Sequence, residues 1–334
     1  MDKLTLASYA KLNLYLEVLG KRKDNYHNLS TIFERISLSD KIILKTHRDD
    51  QITIVSSSGD IPKDDSNLCA KAARLLQAYA YSQPSLRAPK PACRQGRGRS
   101  NLKNGIASVA SLPRNDNCLG VDITIIKRIP VGSGMGGGSS NAALTLLGLN
   151  KLWGLRLSRN KLALYARKIG ADVPFFLRDC RFALGGRRGD HIKPLIGLKN
   201  LRLWHVIVVP RIKVSTPFIY KKWDEFRARA RSEKVRLTLP EYDANILNLA
   251  LIKKDFSLLQ KALFNSLQDV TFRLYPELKI VKASLKKLGL KSILMSGSGP
   301  AVFGIVSSRK EAVFLAEQLK KKHKSWRIFS ASSV

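Results

Sequence analysis

Five glycines fall within the seven residues 132–138, inside the run Pro130-Val-Gly-Ser-Gly-Met-Gly-Gly-Gly-Ser-Ser-Asn-Ala-Ala. Glycine at that density loses much backbone entropy on folding and contributes no side-chain packing. It makes sense where the backbone must come close to a ligand and aim successive N–H groups at it. The run follows a strand pattern, Val121-Asp-Ile-Thr-Ile-Ile, and enters an amphipathic helix expected from about Ser140 to Trp153. Ala142, Ala143, Leu146, Leu147 and Leu149 form the apolar face, and Gly154 is placed to end it. Ser139, Ser140 and Asn141 occupy the first turn, where unpaired N–H groups and the positive dipole end converge. That is an anion site suited to polyphosphate. A flexible linker would not run from a strand straight into such a helix. A Walker loop is excluded because no Lys follows the glycines. A dinucleotide fingerprint can be placed on Gly132, Gly134 and Gly137, but residues 155–162 (LRLSRNKL) lack the acidic residue that would hold a ribose.

Strand and helix patterns alternate along the rest of the chain. Leu12, Leu14 and Leu16 alternate as in a strand, and Lys41–Leu44 and Ile52–Val55 read as two strands around a polar HRDD turn. Ser66 is placed to cap a helix carrying Leu68, Cys69, Ala72, Leu75, Leu76 and Tyr79 on one face. A second helix is expected from Ser158 to Ile169, stopping at Gly170. Further on come the strand 204–209 (WHVIVV), helices near 255–268 and 276–288, the strand Ala301–Val306 and a helix near 310–322. The pattern predicts an α+β fold in two domains, with the phosphate-type loop in the first.

Charge is the outlier of the composition: 59 Lys and Arg against 25 Asp and Glu, a net +34. Such a field attracts polyanions without naming one. Gln83–Asn117 concentrates it, with seven basic residues against one Asp, four prolines and three glycines. That segment reads as a solvated insertion. The four cysteines (Cys69, Cys93, Cys118, Cys180) show neither CxxC spacing nor a nearby His pair, which argues against structural zinc and a disulfide scaffold. Five scattered histidines give no metal-ligand spacing, so no dedicated metal site is expected. The first twenty residues lack a signal-peptide pattern, and the longest uncharged run holds too much Gly, Ser and Asn for a bilayer span. A cytoplasmic protein without membrane partners is expected.

Five blocks, in order, resemble the kinases named after galactose, homoserine, mevalonate and phosphomevalonate. They are Ala10-Lys-Leu-Asn-Leu, Asn25-Tyr-His, the glycine run, Gly170-Ala-Asp-Val-Pro-Phe-Phe, and Met295-Ser-Gly-Ser-Gly-Pro-Ala-Val-Phe. The resemblance covers nearly the whole chain outside Gln83–Asn117. Met135 stands where that family usually has Leu, Asn25 where it usually has Gly, and Ser298 replaces a common Thr. Asn25 suits a turn because Asn accepts positive φ better than most residues. The GGGSSNAA form is most similar to the branch that phosphorylates a cytidine-diphosphate-linked polyol in non-mevalonate isoprenoid synthesis.

The resemblance implies a two-domain kinase, an ATP-binding part over 1–190 and a C-terminal part over 191–334, with the site in the cleft between them. It implies ATP, with Mg²⁺ arriving on it, and an alcohol acceptor. Lys11 and Asp172 fall on the catalytic positions. Pro130, Val131, Gly132, Ser133, Gly134, Met135, Gly136, Gly137, Gly138, Ser139 and Ser140 fall on the ATP loop, with Asn67 and Lys127 on the adenine side. Asn13, Tyr26, His27 and Tyr220 fall on the acceptor side. Read without it, several of these residues have plainer roles. Lys11 would be an exposed strand lysine, Asp172 a turn or helix cap, Tyr220 a core aromatic, and Ser296-Gly-Ser-Gly a tight turn before a strand. Lys11 nevertheless sits in an apolar strand, where a buried ammonium needs an anionic partner. Asn13 shares its strand face. Two rivals stay open: a kinase of another small alcohol, of homoserine or mevalonate type, and an RNA-binding protein. The second has charge in its favour but no RNP-type aromatic motif, KH-type clamp or zinc knuckle, so nucleic acid is not an expected partner.

Overall fold

Two very long strands, β1 (Lys3–Lys21) and β2 (His27–His47), pair antiparallel along their whole length and set the geometry of everything around them. In the computed structural model, residues 2–83, 119–232 and 238–334 are described. All of the basic segment but Gln83 lies outside the described residues, as do Cys93 and Cys118. β1 shows the expected alternation, but both of its faces are covered: Leu12 and Leu14 point one way, Lys11 and Asn13 the other, and all four are buried. A register shift between Asn13 and Tyr15 then reverses the parity, so Tyr15 joins the leucines.

The strands on either side of the HRDD turn both form, but they are not neighbours. β4 (Gly120–Ile126) lies between β2 and β3 (Ile52–Ser56), antiparallel to the first and parallel to the second. β5 (Phe182–Gly186) pairs with the other part of β2, and β6 (His191–Pro194) closes a hairpin with β5. The helices α1 (Leu68–Ser82), α2 (Gly137–Leu152), α3 (Arg159–Ile169) and α4 (Val173–Phe176) cover this sheet and enclose a first core. Ala142, Ala143, Leu146 and Leu149 of α2 are fully buried there; each Leu contributes on the order of 1.5–3 kcal/mol. Gly148 lets the helix lie close on the sheet, because a Cβ there would fall 2.3 Å from Leu44.

A second, antiparallel sheet runs β11 (Arg327–Ser332), β7 (Trp204–Val209), β10 (Val302–Val306), β9 (Ile293–Met295). Its alternation divides two further cores. Ile207, Val209 and Phe303 face the first sheet, together with α6 (Ala244–Lys253) and α7 (Phe256–Ala262). Val206, Val208 and Val302 face α5 (Thr216–Ser232), α8 (Gln268–Leu274), α9 (Glu277–Lys287) and α10 (Arg309–Lys322). The helix expected to 268 stops at Ala262. The chain instead extends into β8 (Phe264–Asn265), which adds parallel to β1, while the Asn265 amide donates to the carbonyls of Met295 and Gly297. A polar knot also joins the sheets. His205 Nε2 lies 2.8 Å from Glu34 Oε1, to which the Ser333 hydroxyl donates at 2.6 Å, with all three residues fully buried.

Candidate active site

The glycine run performs its turn in three steps of left-handed backbone, at Gly132, Gly134 and Gly136. Helix α2 begins at Gly137, three residues earlier than the apolar pattern predicts. Gly136 caps it without any side-chain hydrogen bond. The first N–H groups of a sixteen-residue helix are therefore left to point along its axis into a cleft of about 950 Å³. Lys127 stands at that helix start, its Nζ 3.1 Å from where a Gly137 Cβ would be, and is paired with the buried Asp40. Asp40 also accepts from the N–H groups of Arg128 and Ile129, so it pins the approach to the loop. Within the loop, Met135 is fully buried between the sheets and Ser140 is hydrogen-bonded to Ser8. These two side chains turn away from the cleft; the rest of 130–139 lines it.

Lys11 and Asp172 meet across the cleft floor. Lys11, 3% exposed, donates from Nζ to Asn13 Oδ1 at 2.5 Å and lies 3.4 Å from Asp172 Oδ2, with its backbone N–H held by the Met135 carbonyl. Asn13 in turn donates to Thr31 Oγ1 at 2.8 Å. Asp172 sits at the start of α4 but makes no capping bond; its carboxylate is a third exposed and faces Lys11. An ammonium has three N–H donors, and Asn13 occupies one, so Lys11 can still reach a ligand oxygen. Against the loop lies the second glycine turn. Ser296 donates to the Gly134 carbonyl at 3.1 Å, Ala301 N–H donates to Ser133 O, and Ser298 shares a 2.7 Å bond with Thr216.

The far end of the cleft is aromatic. Asn25 takes positive φ (62°), as its turn position predicts, and Tyr26 stands 54% exposed beside it. Arg188 covers one face of the Tyr26 ring, 4.9 Å from its centroid. His27 is buried, stacks on Tyr220 at 4.9 Å and meets Trp223 edge-on. Burial pushes the Tyr220 phenol well above its usual range, and the nearby Asp172 charge adds to the effect. Asn67 lines the opposite, loop-side wall. It, and not Ser66, caps α1, accepting from Cys69 N–H and donating to the Pro62 carbonyl.

Sequence reasoning missed Thr216 and Asp224, which share one face of α5 with Tyr220 and line the same cleft. Their signal was present: Ser-Thr-Pro is a helix start, and apolar Ile219, Trp223 and Phe226 follow at helical spacing. Among the described residues no three His, Cys, Asp or Glu side chains gather as a metal cluster, and no helix is long and apolar enough to cross a membrane.

With this geometry in place, comparison with known proteins is informative. Residues 103–179 match the GHMP kinases N terminal domain and residues 247–325 the GHMP kinases C terminal domain. The first match reaches back into the basic segment that the motif resemblance leaves out. A 4-diphosphocytidyl-2-C-methyl-D-erythritol kinase of Moorella thermoacetica is 35% identical over 321 residues, 96% of each chain. One from Shouchella clausii is 36% identical over 306 residues, covering 91% of this chain and 86% of its own. A crystal structure of 4-(cytidine 5'-diphospho)-2C-methyl-D-erythritol kinase superimposes with a TM-score of 0.70 at 30% identity, covering 98% of both chains. A homoserine kinase from Cytophaga hutchinsonii, at 17% identity and a TM-score of 0.65, shares the fold.

Proposed function

This chain belongs to the 4-diphosphocytidyl-2-C-methyl-D-erythritol kinases of the GHMP kinase family, and from that membership we propose that it transfers the γ-phosphate of ATP to the C2 hydroxyl of 4-diphosphocytidyl-2-C-methyl-D-erythritol, a step of non-mevalonate isoprenoid synthesis. The observation that carries the reading is the Lys11–Asp172 pair, set between an uncapped helix N-terminus and an aromatic acceptor end in one cleft.

The loop 130–140 and the first turn of α2 bind the ATP phosphates, with Lys127 adding charge at the helix start and Asn67 bounding the nucleotide side. Phosphoryl transfer needs positioning and electrostatic support more than covalent help. Asp172 accepts a hydrogen bond from the C2 hydroxyl and aims its oxygen at the γ-phosphorus. Lys11, oriented by Asn13, offsets charge on the transferring group. The acceptor oxygen bonds to phosphorus as its proton passes to the Asp172 carboxylate or to an oxygen of the transferring phosphoryl group, the bond to the β-phosphate oxygen breaks, and ADP leaves with the electron pair. Mg²⁺ suits a site of hard oxygens, and the Ser139 hydroxyl in the cleft is the donor that would supplement ATP's own oxygens and water. When bound, the ion neutralises phosphate charge. Tyr26, His27 and Tyr220 hold the cytosine.

The test measures ADP release over a panel of alcohols with and without a cytidine diphosphate moiety, homoserine and mevalonate included. Turnover confined to the cytidine-linked acceptor is expected, and equal turnover of a plain alcohol would overturn the reading. Within the same assay, Tyr26→Ala should raise the acceptor KM by the equivalent of about 1–3 kcal/mol, the loss of one stacked base. The ATP KM should stay near wild type. A parallel rise in both constants would make Tyr26 a support of the fold instead.

A further inference from the structure

His27 is held by a group that the reaction itself does not require. Its Nε2 lies 2.8 Å from Asp224 Oδ1, and Asp224 Oδ2 is 3.2 Å from Lys21 Nζ. Asp224 comes from α5 and Lys21 from the end of β1, so the bond joins the two halves of the cleft wall. The ring cannot rotate away, because Tyr220 stacks on its face and Trp223 meets it edge-on. Burial alone would raise the Asp224 carboxyl. The hydrogen bonds from His27 and Lys21 outweigh it and hold the group below the usual carboxylate range.

A carboxylate only accepts hydrogen bonds, so the imidazole nitrogen facing it must carry the proton. In the neutral ring the other nitrogen, Nδ1, is then a bare lone pair, because the partner of one ring nitrogen fixes the state of the other. Nδ1 has no hydrogen-bond partner among the described residues, and the ring lines the cleft. Lys21 bonds the other oxygen of the same carboxylate, so Asp224 is held from both sides while it faces His27.

Building on the cytidine-linked acceptor proposed above, we propose that Asp224 is a positioning residue that fixes the His27 tautomer and so makes the site select an amino-bearing pyrimidine over uracil. Cytosine carries one donor on its pairing edge, the 4-amino group. Uracil has a carbonyl there, which would set lone pair against lone pair. A site whose polar group is left unpaired by the wrong ligand discriminates far better than one that relies on shape. Stacking on Tyr26 cannot supply this choice, since every base offers a π-face.

The test compares cytidine-linked and uridine-linked acceptors in the full-length wild type and Asp224→Asn. An Asn amide can donate to Nε2 as well as accept from it, which releases the tautomer. Wild type should prefer the cytidine acceptor by at least about 10²-fold in kcat/KM. Asp224→Asn should raise the cytidine acceptor KM about tenfold, with kcat within about twofold, and should narrow the preference to below about tenfold. Asp224→Glu, which keeps the carboxylate, should recover part of the preference. A structural role would instead weaken both acceptors equally, and that result would overturn the proposal. Imidazole ¹⁵N NMR of the wild type decides independently of how the variants fold: Nε2–H on His27 supports the assignment, and Nδ1–H refutes it. Wild type inactive on any cytidine-linked acceptor would defeat the proposed function; wild type active on it with selectivity unchanged in Asp224→Asn would defeat only the role of Asp224.

Discussion

Asp172→Asn should lower kcat by about 10²-fold or more while leaving the ATP KM close to wild type. The substitution keeps size and shape and removes one charge, so the measured loss reports the carboxylate itself. Two effects add. The amide is a far weaker partner for the acceptor hydroxyl proton, and Lys11 loses the charge 3.4 Å from its ammonium. Lys11 stays buried and keeps its bond to Asn13, so its position should change less than its electrostatic surroundings. The ATP contacts proposed above, on the glycine loop and Lys127, do not include Asp172, which is why the two kinetic constants should separate. The alternative assignment for Asp172, a helix cap, predicts a loss of stability with intact turnover; its side chain makes no capping bond. Steady-state kinetics at saturating acceptor, with thermal unfolding as the companion measurement, distinguish the two. Near wild-type turnover would remove Asp172 from the mechanism.

How much of this was legible beforehand depends on whether local or distant forces decide a residue's role. The glycine loop was legible because its composition has one economical physical use, and Lys11 because a charge inside an apolar strand demands a partner. The helix start was misplaced by three residues, since apolar periodicity cannot register glycines that turn helical only to present their N–H groups. Asn67 took the cap expected of Ser66: it accepts from Cys69 N–H while its amide donates to the Pro62 carbonyl, a contact that the local pattern does not display. The insertion of β4 between β2 and β3 was not legible at all, because a 3.3 Å-per-residue strand pattern carries no information on its neighbours. Ser140 illustrates the same limit: it stands in the loop motif, yet Ser8, 132 positions away, draws its hydroxyl into the core. Asp224 fell between these cases. Its helix could be read from Ser-Thr-Pro, but its link to His27, 197 positions away, could not.

The loop's dependence on its neighbour leads to the second large effect. Gly134→Ala should raise the ATP KM at least about tenfold and lower kcat by about 10²-fold, the loss expected when reacting groups shift by roughly an ångström. Gly134 has φ of +77°, where a Cβ costs about 1–2 kcal/mol before any contact is made. The added Cβ would fall 2.3 Å from the Ser296 carbonyl and 3.0 Å from that of Gly299. Both obstacles are backbone, so no side chain can rotate out of the way. The two glycine turns must move apart, which breaks the Ser296–Gly134 and Ala301–Ser133 bonds that register one against the other. Gly132→Ala isolates the conformational part, because Gly132 shares the left-handed backbone (+67°) but has nothing within 4 Å of its would-be Cβ. It should lose no more than about 5- to 30-fold in kcat/KM, the equivalent of that ~1–2 kcal/mol of backbone strain alone. Kinetics of the two variants side by side make the decision. If Gly132→Ala is as damaged as Gly134→Ala, strain in the loop accounts for both and the packing of one turn on the other contributes nothing. If Gly134→Ala alone collapses, the second glycine turn acts as the rigid backing against which the phosphate loop is held.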